Sequence, residues 1–122
     1  MVSAPRTLPA RLPNAEHARV SRDKVKLYML DRTHDGGGAD KARLWASTLG
    51  YEGAHIAQLQ EDLMHAASRA EVLACGLTPY GMQWKTRALV LGPNGREYSV
   101  RMNWVTLAPG TAPRLITAWP DI

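Results

Sequence analysis

At 122 residues, with 45% apolar and 21% charged side chains, the chain has the make-up of one globular domain and material for one core. No run approaches the eighteen or so apolar residues that a membrane span needs, and a single cysteine, Cys75, excludes an intrachain disulfide and a thiolate zinc site. Fifteen Lys and Arg against eleven Asp and Glu leave a formal charge of +4, which favours polyanionic partners without naming one.

Residues 1–11 carry Arg6 and Arg11 among Pro, Ala and Ser, lack the apolar core of a secretory signal, and are expected to be a flexible lead-in to one domain over 12–122. The cytoplasm is the expected compartment. Ser21 stands where it can cap a short helix from Arg22 to Leu30, with Val25, Tyr28 and Met29 on one face. Asp31 to Gly38, ending in three glycines, reads as a loop able to take positive φ. Asp40 is then the expected N-cap of a second helix, Lys41 to Leu49, buried through Leu44, Trp45 and Leu49 and closed by Gly50. A third helix is expected from about His55 to Arg69, with Ile56, Leu59, Leu63 and Ala66 or Ala67 on its apolar face.

From Glu71 the period changes to alternation, broken by Thr78-Pro79-Tyr80-Gly81, Gly92-Pro93-Asn94-Gly95 and Ala108-Pro109-Gly110. The expected fold class is therefore α+β: about three N-terminal helices packed on a four-stranded antiparallel meander. Cys75, inside the apolar stretch Val72 to Leu77, is expected to be a buried, inert thiol.

Pro93-Asn94-Gly95 suits a three-residue hairpin loop that sets Gly92 opposite Arg96. Counting inward pairs Val90 with Tyr98, Ala88 with Val100, Thr86 with Met102 and Trp84 with Trp104, a sensible core face. The other face pairs Arg87 with Arg101 and Lys85 with Asn103, near Ser99 and Gln83. Like charges opposite each other on a sheet cost on the order of a few tenths to one kcal/mol unless something anionic sits between them. Such a face is either a solvated basic surface or a phosphate-binding one, with Tyr80, Trp84 or Trp119 near enough for a base to stack. The last strand, Arg114 to Pro120, has apolar residues in both alternating sets; if Ile116 and Ala118 face the core, Thr117 and Trp119 join the basic face.

Gly36-Gly37-Gly38-Ala39-Asp40-Lys41 lacks the Gly-Lys-Ser/Thr ending of a P-loop. Lys41, at the expected start of a helix, is either a surface lysine or part of an anion site. His17, His34, His55 and His65 have no zinc-ligand spacing, and no cofactor is expected. His34, beside the glycines, is the histidine whose setting suits a general acid or base, although an exposed loop histidine is commoner. Neither a Ser-His-Asp set nor a His-Glu-x-x-His helix is present.

Leu12-Pro13-Asn14-Ala15-Glu16, Lys41-Ala42-Arg43, Leu49-Gly50-Tyr51, Thr78-Pro79-Tyr80-Gly81, Gly92-Pro93-Asn94-Gly95 and Pro113 through Pro120 together resemble a family of small bacterial domains of unknown function. Its members stand alone or form C-terminal modules of toxin-like proteins. The order of helices and sheet is also similar to the barnase, EndoU, colicin and RelE ribonucleases, a likeness of architecture alone. That likeness implies RNA, with tRNA a candidate, cleaved without a metal. Arg101 and Arg87 would neutralise the phosphate, Lys41 would approach it, Thr117 would orient an oxygen and His34 would move a proton. Arg43, Lys85, Asn103 and Trp119 would bind the RNA, and an acidic antitoxin or immunity protein would cover the face. The alternative is a non-catalytic antitoxin, immunity or phage-encoded inhibitor protein docking an acidic partner.

Overall fold

A computed structural model describes residues 10–30 and 37–121, with side chains at all of these except 27, 28 and 37–41. Ser21 accepts the Lys24 N–H at 3.4 Å, capping α1, an α turn over Arg22–Lys24 that widens into a π turn over Val25–Met29. The widened turn closes with the Leu30 N–H donating to the Val25 carbonyl at 3.0 Å. Val25, Met29 and Leu30 are thereby buried.

The second helix, α2, spans Gly37–Leu49, so it starts three residues before the expected cap. Asp40 lies inside it, and Lys41 is its fifth residue rather than its first. Glycine costs about 1 kcal/mol within a helix, a weak preference that packing overrides; here Ala42, Trp45, Thr48 and Leu49 are buried along one side. Gly50 ends the helix as expected, at φ 82°, with its N–H on the Ala46 carbonyl at 3.1 Å. A 3-10 turn over Gly53–His55 leads into α3, Ile56–Ala67, which buries Leu59, Leu63, Ala66 and Ala67.

The strands are β1 (Glu71–Thr78), β2 (Gly81–Leu91), β3 (Glu97–Thr106) and β4 (Arg114–Pro120), in one sheet of order β1-β2-β3-β4 with antiparallel neighbours. The β2–β3 register is the one that the hairpin loop implies: Trp84 pairs with Trp104, Lys85 with Asn103, Arg87 with Arg101 and Val90 with Tyr98. Gly92 donates to the Arg96 carbonyl at 2.9 Å. α3 packs on β2, and α2 on β3 and β4, which buries Trp84, Thr86, Ala88, Val90, Val100, Met102 and Trp104. The opposite face is open.

β4 resolves its ambiguity with a bulge. Asn103 pairs with Thr117 but Trp104 pairs with Leu115, leaving Ile116 as the extra residue. The bulge lets Leu115 and Ala118 both enter the core, while Thr117 and Trp119 pair with Asn103 and Arg101 on the open face.

Both sheet edges receive the segment before α1. Arg11 bridges Glu71 on β1 in antiparallel sense, and Arg19 bridges Arg114 on β4 in parallel sense. Between them Leu12, Ala15 and Ala18 are buried, as is Val20 just beyond Arg19. Cys75 corrects an expectation: it is exposed. β1 is an edge strand, the helices concentrate on β2, β3 and β4, and its stretch from Ala74 to Leu77 is uncovered.

Candidate functional site

Cross-strand pairing assembles two rows on the open face. One runs Glu71, Arg87, Arg101 and Trp119; the other runs Ala74, Lys85, Asn103 and Thr117. Six of the expected residues, Lys85, Arg87, Arg101, Asn103, Thr117 and Trp119, are therefore neighbours. Arg43 rides on α2, in the layer on the other side of the sheet. Lys41 belongs to α2, but its side chain is outside the described residues, as is His34 altogether. Of the expected stacking rings, Trp84 is buried in the core and gives its Nε1–H to Thr106 Oγ1 at 3.0 Å, whereas Tyr80 is exposed at the β1–β2 turn.

The facing arginines are compensated from outside their own strands. Arg87 Nε donates to Glu71 Oε1 at 2.9 Å, and its terminal nitrogen reaches the same oxygen. Arg101 Nε donates to Asp121 Oδ2 at 3.1 Å. The order across the sheet is thus acid, base, base, acid, and the four groups sum to no net charge. This explains how the like-charged pair is tolerated. Glu71 and Asp121 were missed by the sequence reading because they stand at the outer ends of β1 and β4, and only a full strand order brings them beside β2 and β3.

Glu71, Arg87 and Asp121 of these pairs also line a shallow hollow of about 790 Å³, together with Arg11, Arg69, Glu97 and Ser99. Ser99 Oγ is buried in it without a hydrogen-bond partner among the described residues. Guanidiniums beside carboxylates can hold a phosphate and accept a proton within one site. No group of three or more His, Cys, Asp or Glu among the described residues is placed to hold a metal ion.

The model of a domain family of unknown function, DUF6883, matches residues 11–122. The chain belongs to the DUF6883 family. No curated protein matches its sequence. Among solved structures, this DUF6883 domain is similar to a chain of the contact-dependent growth inhibition toxin–immunity protein complex from Klebsiella pneumoniae 342. The TM-score is 0.65 at 18% identity, over 84% of this chain and 98% of that one. At such identity the likeness is one of fold.

Proposed function

We propose that this DUF6883 domain is a toxin-system ribonuclease that cleaves RNA, tRNA included, by transesterification without a metal. The observation that carries the reading is the Arg101–Asp121 pair at 3.1 Å, next to Arg87 on an open sheet face. Asp121 accepts the 2′-hydroxyl proton as the 2′-oxygen bonds to phosphorus. Arg101 and Arg87 stabilise the charge that builds on the phosphate oxygens, and the 5′-oxygen leaves with a proton from water as a 2′,3′-cyclic phosphate forms. Thr117 and Asn103, in the adjoining row, orient phosphate oxygens. The structural neighbour's membership of a toxin–immunity complex supports a toxin-system setting and a protein inhibitor.

A second reading is favoured by a different observation. Leu77 and Tyr80 are 80% and 79% exposed, and Leu107 is 60% exposed beside them, following the Met82–Thr106 pair that Leu77 adjoins. Large apolar side chains in one exposed group suit a protein interface, as in a non-catalytic immunity or antitoxin protein. The deciding experiment incubates the purified protein with total tRNA and labelled single-stranded RNA in EDTA, alongside Arg101→Ala. Discrete cleavage that the substitution abolishes supports the ribonuclease. Intact RNA at micromolar protein overturns it in favour of the binding module.

A further inference from the structure

Three described cations without a carboxylate partner gather at the β4 edge. A cleft of about 600 Å³ lies between Ala18–Lys24 and β4, with Arg19, Lys24 and Arg114 in its lining and no acidic residue. Its floor is apolar, formed by Met64, Val105 and Ile116 with other core-side residues. Arg19 and Arg114 are bridge partners on adjacent chain segments, so their side chains leave the same surface side by side. The backbone holds them there: the Arg19 N–H donates to the Pro113 carbonyl at 2.8 Å, and the Leu115 N–H to the Arg19 carbonyl at 2.9 Å. Lys24 is half-buried, and its Nζ donates to the Ile116 carbonyl at 2.9 Å, the carbonyl of the bulge residue. Among the described residues no carboxylate pairs with any of the three cations. The contrast with Arg87 and Arg101, each of which has its own acid, is sharp.

Resting on the ribonuclease reading, we propose that this cleft binds one nucleotide of the RNA, adjacent to the nucleotide that is cleaved. Arg19, Arg114 and Lys24 take the phosphate, and the apolar floor takes the sugar or base, with guanidinium planes available for stacking. The volume is that of a small-ligand site rather than a flat protein interface. Continuity supports the same occupant. Val105 pairs with Arg114 in the row that follows Asn103 and Thr117 on β3 and β4, so a strand lying across the Arg101–Asp121 pair and Thr117 arrives next at the cleft. The charge-neutral centre then supplies chemistry, and the cationic edge supplies affinity.

The test measures fluorescence anisotropy of a fluorescein-labelled 2′-O-methyl RNA oligonucleotide, which lacks the nucleophile, against salt. The proteins are the unmodified chain, Arg19→Ser/Arg114→Ser, Lys24→Met, and Arg96→Ser at the β2–β3 turn as a single-charge control matched to Lys24→Met. The main-chain bonds of Arg19 do not need its side chain, and a thermal melt of each variant verifies folding. The double variant is expected to bind at least about tenfold more weakly and to lose about 1.4 from the slope of log K against log salt, two cations at ~0.7 each. Lys24→Met should weaken binding severalfold and Arg96→Ser less than twofold. Unchanged affinity and slope in the double variant, or an equal loss in Arg96→Ser, overturns the proposal. So does polyglutamate binding more tightly than RNA and depending on the same arginines, which would assign the cleft to an acidic protein. Cleft-dependent binding of RNA that is never cleaved supports the cleft while the ribonuclease reading fails. Cleavage with undiminished affinity in the double variant supports the ribonuclease and overturns the cleft.

Discussion

Arg101 on β3 and Asp121 just beyond β4 form an ion pair at 3.1 Å, with side chains only about a third exposed, 35% and 28%. On the proposed ribonuclease reading, a carboxylate so placed would do two opposed things: offer a base and repel the phosphate. Asp121→Asn should therefore separate the two. Cleavage is expected to fall by roughly 10²- to 10⁴-fold, the usual worth of a general base. Affinity for uncleavable RNA should stay level or rise. Parallel single-turnover and anisotropy measurements check this; a fall in affinity with cleavage unchanged would remove Asp121 from the chemistry.

Tyr51 is fully buried, and its hydroxyl donates to Asp62 Oδ2. Burial first, and then the hydrogen bond to Asp62 and that group's charge, push its pKa well above the ordinary tyrosine value, with Arg69 pulling weakly the other way. The folded chain thus keeps a proton that the unfolded chain releases above about pH 10. Its stabilising contribution is complete below that pH and is lost as pH climbs beyond it, at about 1.4 kcal/mol per pH unit. Urea unfolding between pH 9 and pH 11 should show this fall in the unmodified chain, and a shallower one in Tyr51→Phe.

Thr86 is the polar residue of the buried sheet face. Its Oγ1 accepts from Trp104 Nε1 at 3.0 Å and donates to the Met102 carbonyl at 2.9 Å. Thr86→Val keeps the shape and orphans the indole N–H, so a loss of about 1–3 kcal/mol is expected. The urea midpoint should drop with the m-value unchanged.

Gly92 lets the β2–β3 turn approach the end of α2. A Cβ there would lie 2.1 Å from the Leu49 carbonyl oxygen and 2.6 Å from Leu49 Cβ. The same approach allows the Asn94 N–H to reach the Leu49 carbonyl at 3.2 Å and Asn94 Nδ2 the Thr48 carbonyl at 3.3 Å, satisfying helix-end groups. Gly92→Ala should destabilise by at least about 1–3 kcal/mol. Thermal unfolding would show it, and an unaltered midpoint would mean that the two elements move apart freely.

Local chemistry carried much of the architecture. The Pro93-Asn94-Gly95 loop was enough to place Arg87 opposite Arg101, because turn length sets register. What alternation could not convey was the bulge at Ile116, which moves Leu115 into the core without disturbing composition. Nor could it convey the edge position of β1, which leaves Cys75 in the open despite apolar neighbours. The start of α2 was hidden because glycines that read as a loop were drawn into a helix anchored by Trp45 and Leu49. The grouping of Lys85, Asn103, Thr117 and Trp119 followed from register, whereas the compensation by Glu71 and Asp121 depended on sheet order. Arg19 and Arg114 are far apart in sequence, and no periodicity relates them.

The stretch from Arg11 to Arg19 touches opposite borders of the sheet, Glu71 at one and Arg114 at the other, with its apolar residues sunk in the core between. Its two anchors differ in when they become available. During synthesis β1 emerges well before β4, so the earliest described part of the chain must wait for nearly the last before both of its ends are fixed. Contacts of such long sequence separation slow folding. They also couple the borders: amide exchange at Leu115, whose N–H bonds to the Arg19 carbonyl, should quicken when Leu12 is truncated, although the two residues lie at different ends of the same belt.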